Sequence, residues 1–360
     1  MNFLFLNIHD QSHPDAGESA IISTALARGL YNLGHTVTYF ASSYPRSSAA
    51  ELVDGIKIIR DGDNRSTPLM ARKYWHEQLE DTIDVVVDTV APVPFHTHRY
   101  IPNELRVLLA PHLTQANDHH HSLRLSINAS NKHLQPYKND LTVTFSPVLE
   151  QELLSLRFKN VKIIPPGFTS YQSEDSLPKT THPTWLYYGP INQANNIEDI
   201  IEAFSQISEA LPTAKLWLAT SSPSPHLPEL KKIIVNYGVA DRVRWFFNLS
   251  PENKNDLFQR AWTLIMTSAA DGGQLTILQA NKQGTPAIVY DRPYLREIIE
   301  PDKTGVISRS QPKALALAMA RLAQMKYKRQ LLSDNAQQFA QHFSESTTTD
   351  RFLDLLADRL

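Results

Sequence analysis

The stretch WTLIMTSAADGGQLTILQANKQGTPAIVY, residues 262–290, decides the fold that we predict. Residues 262–266 form an apolar run of strand length, and a polar turn with two adjacent glycines follows them. The segment 275–283 has apolar residues at helical spacing, and a second apolar run occupies 287–290. A strand, a helix and a strand joined by short links form the right-handed parallel unit of a doubly wound sheet. The stretch therefore predicts an α/β fold.

The same alternation continues on both sides of this stretch and predicts two sheets in one chain. In the second half, further strands are predicted at 185–188, 214–219 and 243–247, and helices at 197–210, 227–237 and 253–260. In the first half, strands are predicted at 3–6, 37–40, 56–59, 85–87, 107–109, 141–145 and 161–164. A helix is predicted over 19–33, ending at Gly34. Two such halves place a ligand crevice at the carboxyl ends of their strands.

A polar segment, TSYQSEDSLPKTTHP at 169–183, separates the two runs of elements and is predicted to be a linker. We therefore predict a first Rossmann-like domain over 1–168 and a second over 184–340. The remaining residues, 341–360, are predicted to form a terminal helix.

The composition argues against several classes of function. The 360 residues carry 35 basic and 37 acidic side chains, for a net charge of −2, so no overall positive field would attract nucleic acid. The chain has no cysteine, which removes thiolate metal sites and cysteine nucleophiles. The opening MNFLFLN is only of strand length, and no apolar run is long enough to span a membrane. We therefore expect a cytoplasmic protein, with membrane contact at most peripheral.

The second half resembles the family-four (group 1) retaining glycosyltransferases of the GT-B fold. The family pattern of a strand, Gly-Arg, four residues, Lys-Gly and a helix is similar to LYYGPINQANNIEDIIEAF at 186–204. Its Glu-Gly-Phe-Gly segment followed by Glu-Ala and Gly-Thr-Pro is similar to TSAADGGQLTILQANKQGTP at 267–286. In the first half, HPDAGESA at 13–20 and LLAPHL at 108–113 match more loosely. The resemblance implies two Rossmann-like domains facing across a cleft, with a terminal helix crossing back to the first.

This resemblance also implies a chemistry. Family members move a hexose from a nucleotide-sugar donor to an acceptor with retention of configuration, usually without a metal ion or another cofactor. The acceptor expected here is a glycan, a lipid-linked molecule or a small molecule. The donor site must stabilise the leaving diphosphate, and backbone amides at a helix N-terminus provide part of this stabilisation.

The resemblance assigns a role to each matched position. His112 is expected beside the reacting sugar, Asp271 is expected to bind that sugar, and Gly17 is expected to let the first-domain loop approach the donor. The diphosphate is expected on Gly272, Gly273, Gln274, Leu275 and Thr276, the ribose on Gln279, and further donor contacts on Asn192 and Asn195.

Several of these positions depart from the family pattern. The family Arg falls on Pro190 and the family Lys on Asn195, so both positive charges are missing. The first family Glu becomes Asp271 and the second becomes Gln279, which keeps hydrogen-bonding groups but no charge. An alternative therefore stays open at this point: a glycosyltransferase-shaped protein without catalysis, acting as a binding partner or regulatory subunit of an active transferase.

Each candidate residue also has a purely structural interpretation. Gly17, Gly272 and Gly273 suit ordinary turns, Asp271 suits a helix N-cap, and His112 suits a satisfied polar position at a strand end. The histidines at 119–121 lack the spacing that converges on one metal ion, so we predict no metal site. They are alternatively expected to line the acceptor side. An NAD-linked reductase is disfavoured because neither half contains a Gly-x-Gly-x-x-Gly turn.

Overall fold

The computed structural model of the chain describes residues 1–91, 93–113, 132–168, 177–221, 224–268 and 273–357. The backbone divides into two compact units. Unit 1 comprises Met1–Thr169 together with Phe343–Leu360, and unit 2 comprises Ser170–His342. Each unit is built on its own sheet.

The sheet of unit 1 has eight strands in the order β3-β4-β2-β1-β5-β6-β7-β8. Neighbouring strands are parallel, except that β3 and β4 are antiparallel. The central strands are buried along nearly their whole length, which is typical of parallel strands covered on both faces. The strands are β1 Asn2–Leu6, β2 Thr36–Ala41, β3 Ala50–Val53, β4 Ile56–Arg60, β5 Val85–Thr89, β6 Arg106–Ala110, β7 Leu141–Thr144 and β8 Val161–Ile163.

The sheet of unit 2 is parallel throughout, with six strands in the order β11-β10-β9-β12-β13-β14. Its core lies between this sheet and the helices that cover it, and contains Trp185, Phe204 and Leu216. The strands are β9 Thr184–Tyr188, β10 Lys215–Thr220, β11 Val243–Phe247, β12 Thr263–Met266, β13 Ala287–Tyr290 and β14 Gly305–Ser308.

Helices connect the parallel strands in both units. Where a helix begins, the sequence often supplies the cap: the Ser146 and Ser250 hydroxyls accept backbone N–H groups, and proline follows each serine. The α-helices among the described residues are α1 Glu18–Asn32, α2 Thr67–Tyr74, α3 Pro147–Ser155, α4 Ile197–Ile207, α5 Leu227–Asn236, α6 Pro251–Arg260, α7 Gln274–Lys282, α8 Pro293–Arg296, α9 Pro312–Gln324, α10 Lys326–Ala340 and α11 Glu345–Ala357.

The end of α1 behaves as its sequence predicts. Gly34 has a φ of +86°, and the N–H of His35 donates to the carbonyl of Leu30 at 3.1 Å. This left-handed glycine after the last turn is a common way to satisfy terminal helix carbonyls. The predicted stop at Gly34 is confirmed.

Helix α11 packs directly on α1, where Gly29 permits a close approach. A Cβ atom at Gly29 would overlap the hydroxyl of Thr349 and lie 3.0 Å from the Cβ of that residue. Arg28 pairs with Glu345 beside this contact, and the Thr348 hydroxyl donates to the carbonyl of Pro165 at 2.7 Å. The end of the chain is therefore part of the packing of unit 1.

The predicted strands are present with ends displaced by only a residue or two, but several elements were not predicted. Strand β3 is short, lies at the sheet edge and has no buried residue, so its sequence carries little hydrophobic signal. The residues of helix α2 are on average polar rather than apolar, so they carry little hydrophobic signal. The helix continues into a π-helical turn at Trp75–Leu79. The predicted helix over 197–210 ends earlier, at Ile207. Helix α3 and strand β14 were also missed.

Candidate functional site

The strand order of unit 2 locates its candidate site. In the sheet, β10, the next strand along the chain, lies on one side of β9, and β12 lies on the other side. The carboxyl ends of β9 and β12 therefore flank the point where the winding of the sheet reverses, which is where open α/β sheets bind ligands. The loops after these two strands, together with the helix α7 that follows the second loop, contain the donor-site residues predicted in this unit.

Hydrogen bonds join these two loops. The Asn196 side chain donates to the carbonyl of Thr267 at 2.9 Å, and the Thr267 hydroxyl donates to the carbonyl of Asn195 at 2.5 Å. Asn196 has a φ of +48°, so the loop after β9 turns sharply into α4 at this residue. Side chains of both loops therefore hold the two loops together at the reversal point.

The predicted contacts Asn192 and Asn195 are engaged within the loop after β9. The Asn192 side chain accepts the N–H of Asn195 at 3.1 Å. The Asn195 side chain is buried and donates to the carbonyl of Pro190 at 2.8 Å, which also accepts the Tyr187 hydroxyl at 2.7 Å. Both asparagines therefore hold the conformation of this loop. Asn195, at the position where the family has lysine, uses its side-chain amide for a hydrogen bond within the loop.

Helix α7 begins at the same edge of the sheet. Gly273 precedes it with a φ of +85°, and the Gly273 carbonyl accepts the N–H of Ile277 at 2.9 Å. The N–H groups of Gln274, Leu275 and Thr276 belong to the first turn, where a helix offers backbone donors and the positive end of its dipole. Such a turn is suited to an anion.

The side chains of this turn have different surroundings. The Gln274 amide donates to the carbonyl of Tyr294 at 3.0 Å and to Glu297, so it ties α7 to α8. Leu275 is buried in the core, which leaves only its backbone to face a ligand, and Thr276 is half-buried. Two further predicted residues, Asp271 and Gly272, lie outside the described residues.

The sequence reasoning missed Lys254, on the first turns of α6. Its ammonium group donates to the Gln279 carbonyl oxygen at 3.0 Å. It also lies 5.3 Å from the centre of the Tyr188 ring and 6.0 Å from that of Phe258. Tyr188 ends β9, so this cation lies beside the reversal point of the sheet. Because Lys254 and Gln279 are 25 residues apart, no local pattern indicated that they meet.

Two predicted residues lie in unit 1. His112 is half-buried and follows the end of β6 by two residues, as a strand-end residue should. Gly17 is the N-cap of α1 with an extended backbone, and a Cβ at this position would meet nothing within 4 Å. Neither strain nor a described neighbour therefore requires glycine at residue 17. The histidines at 119–121 lie outside the described residues.

The loop between β1 and α1 is anchored by a buried ion pair that the sequence did not reveal. Arg60, at the end of β4, donates to both carboxylate oxygens of Asp10, at 2.7 and 3.1 Å, and to Glu51 at 2.5 Å. Burial alone would lower the pKa of the Arg60 guanidinium, but the hydrogen bonds to Asp10 and Glu51 outweigh it and raise that pKa. This anchor holds the loop that contains Gly17.

Two histidines of the same loop form an aromatic wall. The His9 and His13 rings stack with centroids 3.9 Å apart, and Tyr44 meets His13 edge-on at 5.2 Å. Burial, with the neighbouring His9, lowers the pKa of His13, so this ring is neutral at pH 7. His13 and Tyr44 line an open groove of about 600 Å³ with Asn64 and Arg65. The groove offers aromatic faces and polar groups together.

A second buried carboxyl group lies on β5, beside β1. Asp88 accepts the hydroxyls of Thr97 and Tyr137, the latter at 2.9 Å. Burial raises the pKa of Asp88 to about 6, even though both hydrogen bonds favour the ionised form. These contacts join β5 to the segments that follow it, and they indicate a structural role for Asp88.

Comparisons with known proteins agree with this architecture. The family described as glycosyl transferases group 1 matches residues 170–339. The alpha-monoglucosyldiacylglycerol synthase of Streptococcus pneumoniae is 27% identical over 124 residues, which are 34% of this chain and 28% of that protein. The poly(glycerol-phosphate) alpha-glucosyltransferase of Bacillus subtilis is 28% identical over 151 residues, 41% of this chain and 22% of that protein. The chain thus spans well under half the length of these relatives.

Solved structures match nearly the whole chain. Sucrose-phosphate synthase from Thermosynechococcus elongatus has a TM-score of 0.82 at 18% identity, covering 99% of this chain and 98% of that one. The Anabaena protein HepE, in complex with UDP and glucose, has a TM-score of 0.71 at 15% identity, covering 99% of this chain and 100% of that one. The GT-B fold is therefore confirmed. Among the described residues, no helix is long and apolar enough to cross a bilayer.

Proposed function

Because residues 170–339 match the family described as glycosyl transferases group 1, we propose that the chain transfers a hexose from a nucleotide sugar to an acceptor hydroxyl with retention of configuration. The acceptor class is a glycan, a lipid-linked molecule or a small molecule. In the transfer, the bond between the anomeric carbon and the diphosphate oxygen breaks and a bond to the acceptor oxygen forms. The acceptor proton leaves with the diphosphate.

One observation carries this proposal: the first turn of α7 presents backbone donors at the reversal point of the unit 2 sheet. The leaving diphosphate gains negative charge as the sugar bond breaks. The N–H groups of Gln274, Leu275 and Thr276 already point out of the helix and need no reorganisation to receive it. A Cβ at Gly273 would lie 2.5 Å from the Met266 methyl group, so glycine lets the chain pass close to this side chain just before the turn.

The missing family cations have a substitute in this proposal. Pro190 and Asn195 carry no charge, and Asn195 is buried in its own loop. Lys254 provides a positive charge next to Gln279. We place the ribose of the donor at Gln279 and Lys254, so that the ammonium lies close enough to attract the phosphates.

The other predicted residues complete the assignment. Asp271 binds the transferred sugar, Gly272 joins Gly273 at the diphosphate, and His112 lies beside the reacting sugar. Gly17 lets the loop after β1 approach the donor, since glycine presents no side chain to it. The groove at His13 and Tyr44 takes the acceptor, because aromatic faces with nearby polar groups suit hydroxylated molecules.

Isothermal titration calorimetry with a panel of nucleoside diphosphates tests the donor site. Gly273→Ala forces a side chain into a left-handed backbone and brings it 2.5 Å from the Met266 methyl group, so either the Met266 side chain or the first turn of α7 must move. We expect at least about a tenfold loss of affinity, equivalent to about 1.4 kcal/mol. Gly238→Ala is the matched control, because its φ of +67° imposes similar strain in the same unit with open space around it.

Two results would contradict the proposal: no nucleoside diphosphate binds the wild-type chain, or both alanine variants lose affinity equally. Transfer itself is measured by release of nucleoside diphosphate from nucleotide sugars in the presence of acceptors. Binding without any release would favour the non-catalytic partner. Release that falls in the double variant Pro190→Arg with Asn195→Lys would eliminate that alternative.

A further inference from the structure

The groove that His13 and Tyr44 line lies where three neighbouring strands of unit 1 end. Its lining comes from residues 13–15 after β1, 43–45 after β2 and 63–65 after β4. These three strands are adjacent in the sheet, in the order β4-β2-β1. Open α/β sheets bind ligands outside the carboxyl ends of their strands, so the groove has the position of a binding site.

The hydrogen bonds of His13 determine what its ring offers to a ligand. The Nδ1 atom accepts the backbone N–H of Asp15 at 3.0 Å, so Nδ1 carries no proton. The single proton of the neutral ring is therefore on Nε2, which has no hydrogen-bond partner among the described residues. Stacking on His9, with the ring centroids 3.9 Å apart, holds the ring in this orientation. His13 is thus a hydrogen-bond donor to the groove and not a base.

Asn64 and Arg65 add further donors to the groove. The side-chain oxygen of Asn64 accepts from His9 Nε2 at 3.0 Å and from the Ser42 hydroxyl at 3.4 Å. Its Nδ2 atom makes no bond to any described residue and is left for a ligand. Arg65 is exposed, and its guanidinium pairs with no carboxylate in the part of the chain that the structure describes.

Two carboxylates supply acceptors beside these donors. The Oδ1 atom of Asp63 accepts the backbone N–H groups of Arg65 and Ser66 and also the Ser66 hydroxyl. This leaves the second oxygen, Oδ2, for a ligand. The Asp15 carboxylate is exposed and bonds to no described residue. The groove therefore offers donors and acceptors together.

The charges of the groove discriminate between classes of ligand. Asp15 and Asp63 carry two negative charges, Arg65 carries one positive charge and the His13 ring is neutral, so the net charge of the groove is −1. A phosphate group in its ionised form only accepts hydrogen bonds, and both carboxylates repel it. A hydroxyl group donates and accepts, so it uses the donors and the carboxylates together. These groups therefore suit an uncharged, hydroxylated ligand.

We propose that the groove binds an uncharged sugar ring of the acceptor, with the hydroxyls of this ring on His13, Asn64 and the two carboxylates. Tyr44 supplies the apolar surface, because an aromatic ring packs against the C–H face of a sugar while the hydroxyls lie around its rim. The Arg60 guanidinium carbon lies 5.3 Å from the centre of the Tyr44 ring and supports that ring beside the groove.

This inference rests on the proposed function, which places the acceptor in the groove, and it narrows the class of acceptor. The part of the acceptor that enters the groove is a neutral sugar of a glycan or a glycoside, and it carries no phosphate. A hydroxyl of this sugar receives the transferred hexose. His13 orients the sugar as a donor and does not take the hydroxyl proton, because its Nε2 atom already carries one.

Saturation-transfer NMR titrations of the full chain test this preference. The probes are glucose, galactose and mannose, and each is compared with its own 6-phosphate. We expect at least one neutral hexose to bind and its 6-phosphate to bind about fivefold more weakly, which is the factor for a like charge about 4 Å away in water. Each titration is made without nucleotide and repeated with a nucleoside diphosphate, so that binding in a fixed order is also detected.

Asp15→Asn removes one of the two repelling charges and should reduce the discrimination against the 6-phosphate to about twofold. The matched control is Asp81→Asn. Asp81 is equally exposed and lies in the turn before β5, at the opposite edge of the sheet of unit 1. This control makes the same change of net charge and should leave the discrimination unchanged.

His13→Phe keeps an aromatic ring beside His9 and removes the Nε2 donor. The affinity for the neutral hexose should fall about two- to tenfold, as expected for the loss of one neutral hydrogen bond. His13→Gln keeps an amide donor of similar reach and should retain more affinity than His13→Phe. Circular dichroism and thermal unfolding establish that each variant is folded.

Three results overturn the inference: no neutral hexose binds with or without the nucleoside diphosphate, the 6-phosphates bind as tightly as the hexoses, or Asp15→Asn and Asp81→Asn change the discrimination equally. Failure of the proposed function gives a different result. Binding of a nucleoside diphosphate without binding of any hexose refutes only the sugar groove. Binding of a hexose without binding of any nucleoside diphosphate refutes the donor site instead.

Discussion

Replacing Lys254 by methionine isolates the charge that we assign to the donor site. Methionine keeps most of the aliphatic stem that packs near Tyr188 and Phe258, and it removes the ammonium that donates to Gln279 at 3.0 Å. The side chain is only partly exposed, so its charge is screened less than that of a fully solvated lysine. The variant should therefore fold normally and lose an electrostatic contribution to ligand binding.

The magnitude follows from the type of contact. A hydrogen bond to a charged group contributes about 1.5–3 kcal/mol, which corresponds to roughly a 10- to 150-fold increase in Kd. The loss of the cation–π contact with Tyr188 should cost about 0.5–1 kcal/mol of stability at most. Binding should thus suffer much more than folding.

Calorimetric titration with a panel of nucleoside diphosphates at two salt concentrations measures this effect. The affinity of Lys254→Met should also depend less on salt than that of the wild type, since one cation no longer attracts the phosphates. Lys232→Met, on the exposed face of α5, is the matched control. The reasoning is refuted if Lys254→Met binds as tightly as the wild type or if the control loses as much affinity.

Three further predictions concern unit 1. The pKa of Asp88 in the folded state, about 6, exceeds the ordinary value of 3.8, so the folded protein binds this proton more tightly and loses stability as pH rises from about 4 to 6. Asp88→Asn should remove this loss, which is about 1 kcal/mol at pH 4.5 and about 3 kcal/mol at pH 7.5, so urea unfolding should show a larger gain at the higher pH; a gain independent of pH would contradict it. Gly29→Ala should destabilise the fold by about 1–3 kcal/mol, because the new methyl group overlaps Thr349 where α1 meets α11. Adding Thr349→Ala should restore part of this stability in a double-mutant cycle measured by thermal unfolding, and additive effects of the two changes would be inconsistent with the overlap. Asp10→Ala should cost about 3 kcal/mol in chemical unfolding, because it removes the buried counterion of the Arg60 guanidinium and leaves the partly exposed Glu51 as its counterion; a loss below about 1 kcal/mol would indicate that the pair is dispensable.

The elements of the fold were largely predictable because their signals are local. Strands such as β1 and β13 are short apolar runs that are buried whole, and α4 shows apolar residues at helical spacing before a polar loop. Strand β3 was not predicted because an exposed edge strand needs no apolar pattern. Helix α2 was not predicted because only part of one of its faces is buried.

The candidate site was predictable only in part. The turn before α7 was visible because a strand, two glycines and a helix are contiguous in the chain. Lys254 was not visible, since its meeting with Gln279 depends on how α6 packs beside α7. Asn195 shows the opposite case: its position suggested a ligand contact, whereas its side chain donates to the carbonyl of Pro190.

The sequence by itself determined the alternating elements, the two sheets and the turn that opens α7, because hydrophobic spacing and glycine placement act within a few neighbouring residues. Only the tertiary structure decided which distant side chains meet. Asp10 and Arg60 form one buried pair across 50 residues, and Gly29 receives Thr349 from the end of the chain. Such contacts depend on strand order and helix packing, which bring remote segments within a few ångströms and which no local pattern encodes.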